Sequence, residues 1–222
     1  MRTPGDDEAL IRGLLYAEDI YKKDYLKLKT IEQFDNGFSI INVTISKEEL
    51  GSGYLNKRTL LSVSSCGICG KQKLEDVIIS GDSISSKGSI KLSQLKILFK
   101  KMKTKQRLFQ LTGGSHATAA FDNNGKLLSI KEDIGRHNAL DKVIGDLLIT
   151  NKIKEIACIL VSGRVSYEII SKAFIAKIPV IVAVSACSTL AVDYAKEFGI
   201  CLIGFNREDN ATIYSNPQYL EI

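Results

Sequence analysis

The second half of the chain alternates short, nearly continuous apolar runs with longer segments in which apolar residues recur at helical spacing. Short apolar runs are typical of strands buried on both faces of a sheet. The predicted strands are Ile156 to Val161, Val180 to Val184 and Ile200 to Phe205, and the predicted helices are His137 to Thr150, Val165 to Ala176 and Ser188 to Phe198. This alternation predicts parallel strands with right-handed crossovers, and therefore an α/β domain with a ligand crevice at the carboxyl ends of its strands.

A hairpin is predicted just before this alternating region. The strands Ala117 to Phe121 and Leu127 to Lys131 flank the sequence Asp122-Asn123-Asn124-Gly125. Asn and Gly accept the positive φ angles that a tight turn between antiparallel strands requires.

The first half of the chain predicts a small α+β unit. Its N-terminal acids favour a helix from Asp6 to Glu18, and β-branched residues favour strands at Phe38 to Ile45 and Thr59 to Val63. A polar, Gly- and Ser-rich passage from Ser80 to Gly88 marks the boundary region between two lobes. We therefore expect a small lobe over residues 1–106 and an α/β domain over residues 107–222.

A basic helix is predicted at the end of the small lobe, from Lys91 to Arg107. Its lysines surround apolar residues at helical spacing, which is typical of an amphipathic helix with a solvated basic face. The whole chain carries 30 Lys and Arg against 25 Asp and Glu, a net charge of +5. This excess suits an anionic ligand but is too small for a dedicated nucleic-acid binder, so no nucleic-acid partner is expected.

Composition indicates a soluble, cytoplasmic protein. Of the 222 residues, 45% are hydrophobic, and no apolar run approaches the roughly 20 residues that a bilayer span requires. The N-terminus lacks a signal-peptide core, so we expect neither export nor a membrane partner. Cys158, Cys187 and Cys201 lie in apolar runs, where cysteine usually packs as a small hydrophobe, and a disulfide framework is not expected.

The remaining two cysteines, Cys66 and Cys69, form a Cys-x-x-Cys pair with glycines at Gly67 and Gly70. A thiolate is the nucleophilic form of cysteine, and a second thiol nearby can resolve its intermediates. Structural zinc is disfavoured because no second ligand pair at zinc-finger spacing exists. The glycines favour an open loop over the helix start of a thioredoxin-like motif. On the residues alone, the pair could handle sulfur, electrons or a metal.

Polar motifs follow the predicted strands of the α/β domain and predict a phosphate-binding crevice. These motifs are Ser162-Gly163-Arg164, Ser185 to Thr189 and Asn206 to Asp209, with Thr112 to His116 and Glu132 to Asn138 completing the crevice. Arg136, Arg164 and Arg207 are candidate phosphate ligands, and His116 and His137 are candidate polar walls. Cys187 is also a candidate, because the start of the next helix is expected to lower the pKa of its thiol. It is a lesser one, because the sequence places no base or partner thiol near it.

Six motifs, in order along nearly the whole chain, resemble the FdhD family of formate dehydrogenase accessory sulfurtransferases. The matching stretches are Arg2 to Asp6, Ser64 to Gly70, Thr112 to Ala117, Glu132 to Lys142, Ser162 to Arg164, and Gly204 to Arg207 with Tyr214-Ser215. Family members usually carry further strand-like sequence before the Thr-Pro-Gly segment, which suggests a truncated chain or a misassigned gene start. Cys187 stands where a proline is common in the family.

The resemblance implies a function. Such proteins take persulfide sulfur from a cysteine desulfurase and deliver it to bis-molybdopterin guanine dinucleotide, a cofactor of formate dehydrogenase that is bound here as a substrate. By motif position, Cys66 is the persulfide-bearing residue and Cys69 its partner. The family's cofactor-binding stretch corresponds to Phe205, Asn206, Arg207, Glu208, Asp209 and Asn210, and the crevice motifs add Gly113, Gly114, His116, Arg136, His137 and Arg164.

The resemblance also implies a homodimer and a cytidine-deaminase-like fold for residues 107–222. The zinc signature of deaminases is absent, so deamination is disfavoured and no metal ligands are expected. Two alternatives stay open. One is a non-catalytic chaperone of the cofactor or of formate dehydrogenase, and the other is a dithiol oxidoreductase or metal carrier.

Overall fold

The structure is a computed structural model that describes residues 1–23, 25–34, 38–55, 81–85, 90–207 and 210–221. Its centre is a six-stranded mixed sheet with the strand order β5-β4-β6-β7-β8-β9. The strands are β4 (His116–Phe121), β5 (Leu127–Asp133), β6 (Cys158–Val161), β7 (Val180–Ala183), β8 (Cys201–Arg207) and β9 (Asn210–Ser215). The neighbours β6, β7 and β8 are parallel, and the other pairings are antiparallel. The expected α/β class is confirmed.

Helices cover both faces of this sheet. On one face, the sheet packs against a core that includes Leu140, Ile144, Ile159 and Ile170. The helices of this layer are α1 (Asp7–Ala17), α4 (Arg136–Ile149), α5 (Tyr167–Ile175) and α6 (Thr189–Glu197). Side chains of successive strand residues point to opposite faces, so Ile159 belongs to this core and Leu160 to the other.

The second face is covered by α2 (Leu95–Lys105). Leu95, Leu98 and Met102 are buried against the sheet, one helical turn apart, as the predicted amphipathic helix requires. The helix begins at Leu95 and not at Lys91, because Ile90 and Lys91 form β3 (Ile90–Lys91), which pairs in parallel with β10 (Leu220–Glu221). A short exposed helix, α3 (Arg107–Thr112), then leads to β4.

Helices α1 and α4 lie in backbone contact. A Cβ atom built on Gly13 would lie 1.8 Å from the carbonyl oxygen of Asp141, and one on Gly145 would lie 1.8 Å from that of Ala9. Glycine at both positions is therefore what allows the two helices to approach this closely. The contact attaches the N-terminal helix to the helix that begins beside the candidate crevice.

Several elements in the described part of the chain were not predicted from the sequence, among them the two-residue strands β3 and β10. A strand β1 (Leu28–Gln33) pairs with β2 (Ser39–Val43), and α3 and β9 were also missed. β9 is an edge strand whose residues 211–213 are exposed, so no apolar run marks it. The predicted strand Thr59 to Val63 lies outside the described residues. None of the helices in the described part of the chain combines the length and the apolar character that crossing a membrane would require.

Candidate functional site

One edge of the central sheet collects most of the predicted motifs. The parallel strands β6, β7 and β8 end there, and the antiparallel pairing of His116 with Asp133 brings the start of β4 and the end of β5 to the same edge. Helices α4, α5 and α6 begin just after the strands that end at this edge. Helix N-termini carry partial positive charge, so the edge favours an anionic ligand.

At this edge, His116, Arg136 and Gly163 are packed together. A Cβ atom built on Gly163 would lie 3.2 Å from Nδ1 of His116 and 3.4 Å from Cδ of Arg136. The preceding residue, Ser162, fixes this turn to β4, because its hydroxyl accepts a 2.9 Å hydrogen bond from the Ala117 N–H. Three separate motifs of the sequence, 112–116, 132–138 and 162–164, thus meet at one place.

Two guanidinium groups lie close enough to His116 to lower the pKa of its imidazole. Burial lowers the pKa of His116, and the positive charges of Arg136 and Arg164 lower it further. Arg164 is exposed, and no salt bridge joins it to an acid among the described residues. A neutral imidazole beside two arginines is well suited to bind a phosphate, since the arginines supply charge and the ring supplies a hydrogen-bonding group.

His137 lies in the first turn of α4 and contacts the start of α5. Its Nε2 is 3.3 Å from Oγ of Ser166. Burial, followed by the charges of Arg136 and Lys172, lowers the pKa of His137 to about 4. The ring is therefore neutral near pH 7, and it acts as a polar wall that adds no charge of its own. The sequence analysis missed Ser166, which carries no signal beyond its place before a helix.

A buried carboxylate, Asp133, holds the turn that precedes Arg136 and His137. It accepts hydrogen bonds from the backbone N–H of Gly135 (2.9 Å) and of Thr3 (3.0 Å), and from Nδ2 of Asn138 (3.0 Å). It also forms a 2.9 Å ion pair with Lys142, whose side chain is 1% exposed. Asp133 was predicted only as part of a crevice motif, and its ion pair with Lys142 was not predicted, because a buried ion pair leaves no local pattern in the sequence.

Gly113 and Gly114 lie on the same edge, between α3 and β4. Gly113 ends α3 with a φ of 64°, a conformation that glycine adopts without strain. The segment is held by Glu132, whose carboxylate accepts hydrogen bonds from the Leu108 and Phe109 N–H groups, both at 2.8 Å. Both glycines are exposed, so they border the edge and are not packed into the cluster of His116.

Phe205 occupies a strained position at the end of β8. Its φ is 51°, the left-handed region that non-glycine residues rarely adopt, and the pairing of β8 with β9 shifts register between Gly204 and Arg207. A hydrogen bond of 3.1 Å from its N–H to Ser185 holds the backbone, and 46% of the residue is exposed. The bulge therefore presents an aromatic ring at the edge where β7 and β8 end.

The other members of the predicted cofactor stretch are less fully described. Asn206 and Arg207 end β8, and Asn210 begins β9. Glu208 and Asp209 lie outside the described residues, as do Cys66 and Cys69. The predicted roles of these residues stay predictions.

The expectation for Cys187 was wrong. Its thiol was expected to have a lowered pKa at a helix start, but burial raises the pKa to about 12. A Cβ atom built on Gly204 would lie 3.0 Å from the Cys187 Sγ and 2.9 Å from the Tyr214 ring, so the thiol is packed against β8 and β9. Burial also raises the pKa values of Cys158 and Cys201, which are core residues as predicted.

Comparison with known proteins gives consistent relationships. The sequence profile of the FdhD/NarQ family matches residues 1–221. The chain is 42% identical over 220 residues to the sulfur carrier protein FdhD of Picrophilus torridus, covering 98% of this chain and 82% of that protein. It is 41% identical over 219 residues to the sulfur carrier protein FdhD of Saccharolobus solfataricus, covering 98% and 81%.

A solved structure has the same fold. The crystal structure of a candidate formate dehydrogenase accessory protein from Desulfotalea psychrophila superposes with a TM-score of 0.71 at 20% identity, covering 100% of this chain and 81% of that chain. The profile match and the identities over nearly the full length together establish the relationship: this chain belongs to the FdhD/NarQ family.

Proposed function

We propose that this protein is a cytoplasmic, homodimeric sulfurtransferase that serves formate dehydrogenase. It takes persulfide sulfur from a cysteine desulfurase and delivers it to bis-molybdopterin guanine dinucleotide. Relatives named sulfur carrier protein FdhD support the sulfur-transfer role. The observation that carries the proposal is the cationic edge of the sheet, where the positive charges of Arg136 and Arg164 both lower the pKa of His116.

Binding of the cofactor rests on this edge. The guanine dinucleotide carries phosphates, which suit guanidinium groups and helix N-termini. Arg136 and Arg164 would hold one diphosphate, with the neutral side chains of His116 and His137 as hydrogen-bonding partners. The exposed ring of Phe205 offers a flat surface for a base, since every base has a π-face on which an aromatic side chain can stack. The cofactor itself supplies the metal that receives the sulfur.

Sulfur transfer rests on Cys66. Its thiolate attacks the terminal sulfur of the desulfurase persulfide, so that a new S–S bond forms on Cys66 while the desulfurase cysteine leaves as a thiolate. In delivery, the thiolate of Cys69 attacks Sγ of Cys66. The terminal sulfur leaves as sulfide with the bonding electron pair, and a Cys66–Cys69 disulfide forms. A dithiol reductant then returns both cysteines to thiols.

Mass spectrometry tests the first step. After incubation with a cysteine desulfurase and cysteine, the protein should gain the mass of one sulfur on a peptide that contains Cys66. The Cys66→Ala variant should gain none, whereas Cys187→Ala should gain as much as the unchanged protein, because its buried thiol has a raised pKa. Full activity of formate dehydrogenase in cells that carry only Cys66→Ala would overturn the transferase proposal in favour of the non-catalytic chaperone.

A binding titration tests whether the crevice edge binds the nucleotide part of the cofactor. GDP should bind the unchanged protein, and Arg164→Ala should weaken binding about tenfold, since a charge-assisted hydrogen-bonded contact contributes on the order of 1.5–3 kcal/mol when little of it is screened. Lys196→Ala, which removes an exposed cation on α6, is the matched control. A dithiol oxidoreductase or metal carrier would need neither nucleotide binding nor sulfur gain.

A further inference from the structure

The positive charge of the protein is concentrated on one stretch that the proposed function does not use. From Ser83 to Phe121 the sequence contains no Asp or Glu. The part of this stretch from Lys91 to Arg107 carries seven cations, which exceeds the net charge of +5 for the whole chain. The rest of the molecule is therefore slightly acidic, and the basic residues form a separate electrostatic feature centred on α2.

Helix α2 and the β4–β5 hairpin form a continuous surface. Gly125, in the hairpin turn, has a φ of 69°, and a Cβ atom built on it would lie 3.1 Å from Cδ2 of Leu98. On the outer side, Nζ of Lys101 donates a 2.6 Å hydrogen bond to the Gly125 carbonyl. Between helix and turn lies an open cavity of about 450 Å³, and Lys101, Lys105 and Lys126 all line it.

No acid neutralises these three lysines within the described part of the chain. The nearest carboxylate in sequence, Asp122, accepts hydrogen bonds from the backbone N–H groups of Asn124 (2.8 Å) and Lys126 (2.9 Å), and so stabilises the turn. Lys105 and Lys126 are exposed, and no described acid forms a salt bridge with Lys101, Lys105 or Lys126. We define this surface, with Ile97, as the lysine face.

An exposed isoleucine lies on the same side of the helix. Ile97 is 56% exposed, and Lys101 and Lys105 follow it at intervals of four residues, which places all three on one stripe of α2. An apolar residue surrounded by cations suits a partner that has an apolar side chain between carboxylates. Ile97 is not part of the buried face of the helix, which consists of Leu95, Leu98 and Met102.

The lysine face is separate from the candidate cofactor site. Strand β4 begins at His116 on the crevice edge and ends at Phe121, beside the hairpin turn, so the turn lies at the opposite end of the strand. Six residues of extended chain span roughly 20 Å. The cavity between α2 and the hairpin therefore lies about the length of β4 away from the crevice edge.

We propose that the lysine face docks an acidic segment of a partner protein, with an apolar side chain of that segment resting on Ile97. A phosphate ligand fits less well, because no arginine is among the described residues that line the cavity. Lysines act as point charges on flexible stems, which suits carboxylates attracted over a distance and loosely held. This docking goes beyond the proposed sulfur transfer, since it involves neither the cysteines nor the cofactor.

The test uses two labelled peptides, one of glutamates flanking a central leucine and one of glutamates alone, with binding followed by fluorescence anisotropy. Lys105→Glu/Lys126→Glu should weaken binding of the leucine peptide about tenfold, because each reversal replaces an attraction with a repulsion. Lys47→Glu/Lys196→Glu makes the same charge change at exposed lysines elsewhere and should weaken binding less than twofold. Ile97→Ser should weaken binding of the leucine peptide alone.

Two results would overturn the docking proposal. One is an equal loss of peptide binding in both double variants, which would mean that only net charge matters. The other is binding of a single-stranded oligonucleotide or of inorganic pyrophosphate that depends on Lys105 and Lys126 more strongly than peptide binding does. Either outcome leaves sulfur gain on Cys66 unchanged, so failure of this proposal is distinguishable from failure of the proposed function.

Discussion

Gly163 packs so closely on His116 at the crevice edge that a Cβ atom added at Gly163 would require the imidazole to shift by a few tenths of an ångström. An added Cβ would lie 3.2 Å from Nδ1 of His116 and 3.4 Å from Cδ of Arg136, both tighter than ordinary contacts. Gly163→Ala should therefore move the ring and the arginine stem. We expect GDP affinity to fall about tenfold and stability to fall by about 1 kcal/mol.

Calorimetric titration and thermal unfolding measure the two effects of Gly163→Ala. Lys196→Ala, at an exposed position on α6 outside the crevice, is the control. Equal GDP affinity in Gly163→Ala and the unchanged protein would contradict binding at the His116 cluster.

The low pKa of His137 predicts a specific pH dependence of stability. The unfolded residue titrates near 6.5 and the folded residue at about 4, mainly because the ring is buried. As pH falls from 6.5 towards 4, the unfolded chain takes up a proton that the folded chain does not, so the free energy of unfolding decreases. Above pH 6.5 the ring is neutral in both states and contributes no pH dependence.

Substitution isolates the contribution of His137. Gln can keep a hydrogen bond to Ser166 without titrating, so His137→Gln should lose less stability than the unchanged protein between pH 6.5 and 4. Urea unfolding at a series of pH values measures the difference, and NMR of the imidazole gives the folded pKa. A folded midpoint near 6.5 would contradict the burial of this ring.

Lys142 and Asp133 form a buried ion pair, and removing the charge of one residue alone should destabilise the protein more than removing both charges. Lys142→Met leaves the Asp133 carboxylate buried without its cation, and we expect a loss of about 3–5 kcal/mol. Lys142→Met/Asp133→Asn should be less destabilised than Lys142→Met alone, because no uncompensated charge remains buried. Urea unfolding of both variants checks this order. A double variant less stable than the single one would mean that the other hydrogen bonds of Asp133 outweigh the ion pair.

Phe205→Gly should lower GDP affinity without lowering the stability of the protein. Glycine relieves the positive φ of 51°, which costs a phenylalanine on the order of 1 kcal/mol, while the half-exposed ring contributes little burial. Thermal unfolding should therefore show unchanged or raised stability, whereas GDP affinity should fall as the stacking surface is lost. Phe109→Gly, in the exposed helix α3, removes a ring of equal exposure and should leave GDP affinity unchanged. Unchanged affinity in Phe205→Gly would remove this residue from the site.

The sequence predicted the sheet well where burial is two-sided. Strands β6, β7 and β8 and the helices between them follow the apolar runs, because a strand covered on both faces has no polar positions to interrupt the pattern. The same reasoning brought His116, Arg136 and Gly163 to one edge. β9 was missed because it is an edge strand with exposed positions, and α3 was missed because none of its residues is buried. The two-lobe division at residue 106 stays a prediction.

Long-range contacts carried no comparable signal. Nothing near Asp133 indicates that Thr3 and Lys142 would bind it, and nothing near Gly13 indicates a helix at Gly145. The prediction of a lowered thiol pKa for Cys187 was wrong for a related reason. Its helix-start position was visible in the sequence, but the packing of Gly204 and Tyr214 around the thiol was not.

The contact of α1 with α4 has a consequence for synthesis of the protein on the ribosome. The hydrogen bond from Thr3 to Asp133 joins residues 130 positions apart, and Gly13 meets Gly145 at a similar separation. At about 5–20 residues per second, the ribosome needs on the order of ten seconds to make the partner of a helix it has already released. Helix α1 therefore emerges with the side that will contact α4 uncovered, and a nascent-chain chaperone has that interval in which to bind it.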